Sequence, residues 1–429
     1  MASAPAQWNN RPHTMEIQIH RGLSLDLAGG PQQVIDSAPR TTRAGFIGAE
    51  HRDIRPNLAI AVGDTIKLGD PLFADRRHPE LCFTTPASGR ILDIVWGSKR
   101  RLASIIIDST ATDSNPILLD DPGPLSALRA DHIRSILMRS GLWSAVRARP
   151  FSIIPVAAAR APALFVSLID THPWSADPAV VIAGRERELA AGLTVLSNLT
   201  ERLYVCKPPP LALEPIEASN VQIVDVSGPH PAGLPGTQIE LLAPVRHDRA
   251  AWYVGYQDVM AIGELFTTGR LTHERVIAIA GPGLKRPRLL RTHVGASIDE
   301  LLTEETSADS FVVAGSILSG RAVTPDTAFL GRYDTQLSVL PMRPVAESVG
   351  DEYPSAMLPL ERFDAVWPLH SPPLVLLRAL LSGDTETAEA LGCLGLDEED
   401  LALCAQVCPA GIDYGAALRG VLDDLRKQI

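Results

Sequence analysis

Hydrophobic and polar positions alternate with a period that changes from region to region. Glu16-Ile17-Gln18-Ile19-His20 alternates with period two, as a strand with one wet face does. In Leu58–Phe73 and again in Thr85–Val95, short apolar runs are punctuated by tight turns, which predicts a small all-β unit. Ala130–Arg139 carries Ile133, Ile136 and Leu137 at helical spacing. Ala163–Ile169 is an apolar run and a candidate buried strand. Pro178–Leu196 reads as an amphipathic helix broken near Gly192. Arg202–Cys206 and Val221–Val226 are further strands, and the alternation of strands with helices suggests an α/β unit. Strands are expected again at Val276–Ala280, Leu289–Thr292 and Phe311–Ala314. From about Pro372 onward the pattern is helical, in Leu374–Leu381, Glu386–Leu391, Glu398–Val407 and Gly415–Lys427.

The gaps in the pattern suggest the boundaries. Residues 1–14 are polar and without period, as a disordered tail would be. Residues 111–124 and 341–352 are loop-like. The chain therefore divides into a β unit at 15–110, an α/β unit at 111–270, a β-rich unit at 271–340 and a helical unit at 341–429.

Composition fits this division. A chain of 429 residues with 45% hydrophobic and 21% charged positions has ample material for several buried cores. The net charge of −11 disfavours nucleic acid, which needs clustered Lys and Arg; Lys99-Arg100-Arg101 is too short to reverse that. No apolar run approaches the roughly 18–20 residues that span a bilayer, and the N-terminal stretch lacks the form of a secretory signal. Five unevenly spaced cysteines suggest a reducing compartment.

Candidate chemistry is sparse. Cys404-Ala405-Gln406-Val407-Cys408-Pro409 is the closing half of a ferredoxin-type run, but Leu401 and Glu398 stand where its first two cysteines belong. Two thiolates cannot hold a four-iron cluster, so Cys404 and Cys408 read as buried helix residues; Cys82 and Cys206 read as strand core. No glycine-rich phosphate loop follows a strand: Gly281-Pro282-Gly283 opens no helix, and its proline removes an amide donor. No Ser-elbow and no zinc spacing occurs, and His20, His172, His273 and His293 are isolated in sequence. His230 lies in a Pro/Gly-rich segment, Gly228–Gly236, where a turn-locked structural role and a ligand contact are equally open. In Ser140–Ser152, Trp143, Arg147, Arg149 and Phe151 surround a helix end; a flat-ligand pocket, a protein interface and plain packing all fit. Val62–Phe73 and Pro86–Ile94 resemble the two halves of a biotinyl/lipoyl-carrier-like barrel-sandwich hybrid, but Ala74–Glu80, where a carrier's hairpin tip would lie, holds no lysine to modify.

Longer phrases carry a family resemblance. "SGLWSAVRARPFSIIP", "GPHPAGLPGTQIELL", "GYQDVMAIGELFTTGRL", "AGPGLKRPRLLRTHVGASIDEL" and "ALGCLGLDEEDLALCAQVCPAGIDYGAALR" resemble the NqrA family, one of the subunits of the Na+-translocating NADH:quinone reductase. The resemblance runs from about Met15 to the C-terminus. It implies an α/β plus β multidomain fold: a barrel-sandwich hybrid, an α/β (Rossmann-like) domain, a β-grasp-like soluble-ligand-binding (SLBB) domain and a helical domain of degenerate iron–sulfur type. It implies a peripheral subunit on the cytoplasmic face of the bacterial inner membrane, inactive alone, with no tightly bound cofactor. Flavins and the iron–sulfur centre belong to partner subunits, and ubiquinone is the implied ligand. The matching quinone-proximal segments are Gly45–Pro56 and Arg149–Pro155, which gives Gly48, Arg55, Arg149, Phe151 and Ser152 as site candidates; Trp143, Arg147 and His230 follow as ligand or interface candidates. A scaffold subunit without quinone contact is the alternative. This chain departs from the family in its 14-residue extension and in a shortened stretch after Pro341.

Overall fold

The computed structural model describes residues 15–51, 53–109, 123–156, 158–307, 309–342 and 360–428. The expected tail, most of the 111–124 loop and the shortened stretch after Pro341 lie outside them. Four sheets organise the rest.

Two small antiparallel sheets form the β unit. One joins Arg43–Ile47, Leu102–Asp108, Gly89–Trp96 and Thr65–Ile66; the other joins Pro56–Leu58, Pro71–Asp75 and Cys82–Thr84. Alternate side chains fill the space between them, with Phe73 and Phe83 stacked at 4.7 Å over Ile91, Ile105 and Ile107. Cys206 is buried, as its strand requires, but Cys82 stays partly exposed because its strand lies at the edge of the three-stranded sheet.

The central sheet runs in the order Met15–Gln18, Val221–Ser227, Thr200–Lys207, Ala161–Ser167, Ala251–Gly255 and Arg147–Arg149. The first five strands are parallel and the last is an antiparallel edge. Both faces are covered. Leu164, Val166, Leu203, Val205, Trp252 and Val254 face the core shared with the helices Glu186–Ser197 and Tyr256–Thr268. Phe165, Tyr204, Cys206, Val224 and Val226 face the C-terminal helices. Burial on two faces is why Ala163–Val166 is continuously apolar, with Ser167 following at the carboxyl end of the strand.

A mixed sheet of Arg321–Ala322, Ser310–Ala314, Gln336–Pro341, Glu274–Ala280, Arg288–His293 and Gln32–Ser37 packs over its own small core. The C-terminal helices, Pro373–Ser382, Thr385–Ala390, Ala402–Val407 and Tyr414–Gln428 among them, bury Cys404 and Cys408. Burial pushes the Cys404 thiol up to about 12, and Cys408 Sγ lies 3.3 Å from the Tyr414 hydroxyl.

Three local expectations change. The strand at Met15–Gln18 extends the parallel sheet, not the β unit, and Gln32–Ser37 extends the mixed sheet, so residues 15–47 tie three units together. The helix expected over 178–196 is two helices, Pro178–Ile182 and Glu186–Ser197, divided at Gly184 with φ +81°. Gly192 is instead a packing residue: a Cβ there would sit 2.0 Å from the Val259 carbonyl oxygen of the neighbouring helix. Gly263 faces back in the same way, 1.9 Å from the Glu188 oxygen, so the pair sets the close approach of the two helices.

Candidate functional site

A cleft of about 1940 Å³ opens where the four units meet. It reaches the carboxyl ends of Ala161–Ser167 and Ala251–Gly255 through Ser167, Gly255 and Asp258. These two strands are where the order of the parallel sheet reverses, the place where open α/β sheets leave a crevice.

The hairpin after the edge strand forms one wall. Arg147–Arg149 leads into a cis Arg149-Pro150 bond, and Ala148 and Ile153 close the loop with paired backbone hydrogen bonds. Phe151 and Ser152 both take left-handed backbone, with φ of 77° and 55°. Such backbone costs about 1 kcal/mol or more for a non-glycine residue and persists only where its surroundings fix it. Here they do. Ser152 Oγ lies 2.7 Å from the Tyr253 hydroxyl and donates to Asp397, while its carbonyl accepts from Arg147. The Phe151 carbonyl accepts from Arg419 at 3.1 Å. Phe151 is thereby held half-buried on the cleft wall.

Two arginines of this strand have different surroundings. Arg147 lies over the Tyr333 ring at 4.6 Å and lines the cleft. The Tyr333 hydroxyl donates to Ser144 O at 2.7 Å, which fixes the ring beneath the cation. Arg149 is fully buried, 3.4 Å from Asp397, 3.5 Å from Asp400 and 3.6 Å from Glu399, with the Tyr253 ring at 5.2 Å. Burial raises Asp400 to about 7 against the pull of Arg149, and it raises Glu399 as well. Against its own burial, Asp397 is held well below the usual carboxylate range, chiefly by Arg149. Arg419 binds Asp397 at 2.5 Å and Glu398 Oε1 at 2.8 Å, and so ties the last helix to the same cluster.

The opposite wall comes from the β unit. The turn Gly48–Glu50 presents Gly48, where a Cβ would lie 2.5 Å from the Leu102 carbonyl oxygen. Arg55 follows on the rim. Arg275 and Arg332 each meet Asp258, at 3.0 and 3.1 Å, on the floor.

The candidates thus divide. Gly48, Arg55, Arg147, Phe151 and Ser152 line one cleft, although about 100 residues separate the two segments. Arg149 lies behind the wall. Trp143 is core: its indole donates to Pro155 O at 2.7 Å and meets Trp252 edge-on at 5.7 Å. His230 is buried elsewhere, 3.2 Å from Thr171 Oγ1 and 5.0 Å ring-to-ring from His172, and is lowered to about 3 by burial and then by His172. His172 is not isolated in space, since it contacts Asp170 at 2.8 Å. Tyr333, Tyr253, Glu50 and Arg332 were not singled out by the sequence: Glu50 lies inside the Gly45–Pro56 segment, Arg332 and Tyr333 in FLGRYD and Tyr253 in the apolar run AWYVG, and no motif marks any of them. Among the described residues no group of His, Cys, Asp and Glu is arranged to hold a metal ion, and no helix is long and apolar enough to cross a membrane.

Three family models match the chain: the NqrA N-terminal barrel-sandwich hybrid domain over residues 17–110, the NqrA second alpha/beta domain over 128–271 and the NQRA C-terminal domain over 276–324. The NqrA subunit of the Na(+)-translocating NADH-quinone reductase of Shewanella amazonensis is 42% identical over 445 aligned residues, covering 96% of this chain and all of the relative. The chain belongs to the NqrA family of Na+-translocating NADH-quinone reductase subunits. The same-named proteins of Neisseria meningitidis serogroup A and Histophilus somni are 41% and 40% identical with the same coverage. Among solved structures, an NAD+-reducing NiFe-hydrogenase in its H2-reduced state aligns with a TM-score of 0.38 and 13% identity, covering 84% of this chain and 74% of that one. In this NqrA family member the cleft draws on all three matched domains. The first supplies Gly48 and Arg55, the second Arg147 and Phe151, and the third Arg321.

Proposed function

We propose that this chain works as the NqrA subunit of a Na+-translocating NADH:quinone reductase, peripheral at the cytoplasmic face of the membrane, and that its cleft receives the ubiquinone ring. The observation that carries this reading is the convergence of Gly48 and Arg55 with Phe151 and Ser152 on one cleft. A quinone needs an apolar face and a donor at each carbonyl. Phe151 offers the face and Arg147 a donor. Arg149 is committed to three carboxylates, so the donor role passes from it to its neighbour two residues earlier. Flavins and the iron–sulfur centre are assigned to partner subunits, and this chain contributes position, not bond chemistry at a cofactor of its own.

The test is a mild-detergent pull-down of the tagged chain from its own membranes, followed by kinetics of Phe151→Ala and Arg147→Ala complexes. Membrane and flavin/iron–sulfur subunits are expected to co-purify with Na+-stimulated NADH:quinone activity. Phe151→Ala is expected to raise quinone KM about tenfold with NADH KM unchanged, as loss of a binding contact does. Altered assembly with an unchanged quinone KM would favour a scaffold.

A further inference from the structure

Two spaces in the molecule share a wall. The large cleft and an inner cavity of about 20 Å³ are both lined by Glu50, His51 and Arg332. The inner cavity's lining is largely apolar but includes Glu50, His51, His273 and Arg332, and a space of that size beside such polar partners accommodates one water molecule. His273 borders the inner cavity, is buried, and neither of its ring nitrogens meets a hydrogen-bond partner among the described residues. Burial, with Arg332, His293 and Arg275 around it, keeps the ring neutral. A neutral imidazole carries one donor and one acceptor, and leaving both unmet in the interior is costly. A water in the inner cavity answers that requirement.

Glu50 closes this wall on the cleft side. Its Oε2 accepts from the Arg332 backbone N–H at 3.1 Å. Its carboxyl rests against Gly331, where a Cβ would lie 1.7 Å from Oε1, so only glycine admits it. The groups around it are His51 on its own turn, Arg147 from the edge strand, and Arg321, Arg332, Tyr333 and Asp334 from the mixed-sheet unit. Burial and then Asp334 raise Glu50 to about 7, against the opposing arginines. His51, lowered to about 3 by burial and then by Arg147 and Arg332, stays neutral at physiological pH. Glu50 is therefore the member of this shared wall that exchanges a proton near neutrality.

We propose that Glu50 is the acid that protonates the ring reduced in the cleft, with a water in the inner cavity linking its carboxyl to His273. The proposal rests on the quinone reading above. Reduction of a quinone to a quinol adds two electrons and two protons. The electrons come from a reduced flavin or iron–sulfur centre held by another chain of the complex. The Glu50 O–H bond breaks as a ring O–H bond forms at one carbonyl oxygen. The carboxylate then recovers a proton from solvent, and the second ring oxygen takes its proton from solvent directly.

The experiment compares wild-type, Glu50→Gln, Glu50→Asp and Phe151→Ala chains in the assembled complex, with quinone kcat and KM followed from pH 5.5 to 9. A general acid contributes about 100-fold or more, so Glu50→Gln is expected to lower kcat by that factor near pH 6.5 with little change in KM. Wild-type kcat should fall as pH rises through about 7, where Glu50 loses its proton; that limb should vanish in Glu50→Gln and return in part in Glu50→Asp. Infrared difference spectra of the full chain between pH 6 and 8 supply a readout independent of turnover. A protonated-carboxyl band should be present in wild type and missing in Glu50→Gln. An unchanged kcat and pH profile in a folded Glu50→Gln complex, or an unchanged infrared band, overturns the proposal and leaves the quinone reading intact if Phe151→Ala raises KM. An unchanged quinone KM in Phe151→Ala overturns the reading, and the proposal with it.

Discussion

Arg147 and Arg149 stand two residues apart on one short edge strand, and on a strand that spacing puts them on the same face. Arg147 reaches the mixed-sheet unit, lies over Tyr333 and borders the cleft. Arg149 reaches the C-terminal unit and disappears beneath Asp397, Glu399 and Asp400. Nothing local distinguishes them. What separates a ligand-facing arginine from a structural one here is the distant chain that covers each.

The sharpest way to break this comparison is Arg149→Ala. Removing the cation leaves the buried Asp400 and its neighbour Glu399 without their arginine, while Asp397 keeps Arg419; unpairing a buried charge costs about 3–5 kcal/mol in pairs of this kind. Urea unfolding of the purified chain should show that loss, with the C-terminal helices loosening first because Arg149 joins them to the central sheet. If Arg149→Ala instead leaves the unfolding midpoint unchanged and alters only quinone kinetics, the contrast between the two arginines collapses.

A smaller effect is expected at Arg147. Arg147→Ala removes a cation–π contact and the hydrogen bond to Ser152 O, together worth about 1–2 kcal/mol. Its carboxylate neighbour Asp397 remains paired through Arg149 and Arg419. The same unfolding measurement should therefore place Arg147→Ala well above Arg149→Ala in stability. An equal loss at both positions would mean that Arg147 is as structural as its neighbour.

This contrast also marks how far the sequence could be read. Local pattern located the strands at Ala161–Ser167, Thr200–Lys207 and Val221–Ser227 to within a few residues, because buried strands must be apolar and their ends must turn. It brought out the Arg/Phe segment, and the resemblance joined it to Gly48 and Arg55, which share its cleft. It could not rank the two arginines, because the acids that bury Arg149 lie some 250 residues later in a run that reads as a solvated helix start. For the same reason it put Met15–Gln18 with its sequence neighbours, when the free edge that receives the strand is at Val221–Ser227. Gly192 misled in the other direction: a glycine inside a helical pattern suggests a break until the helix crossing against Gly263 is seen.

The finest test lies inside the acid cluster. Asp400 is raised to about 7 by burial and then by Glu399, with Arg149 opposing, so its folded form holds a proton where the unfolded chain has released it. Between the ordinary carboxylate range and pH 7 the folded state binds more protons, and its stability contribution from this group falls as pH rises. It is fully present below about pH 4 and lost by the time pH has passed through 7. Asp400→Asn removes that slope while keeping the shape of the side chain. Below about pH 4, where Asp400 holds its proton in the folded and the unfolded chain alike, the substitution should change the urea midpoint little. At pH 8.5 the variant should be the more stable protein, because the wild type must then hold another carboxylate beside Asp397 and Glu399 around one arginine. A variant less stable than wild type at pH 8.5 would mean that the ionised Asp400 is a needed partner of Arg149. The cluster would then be a balanced ion pair network instead of one arginine outnumbered by acids.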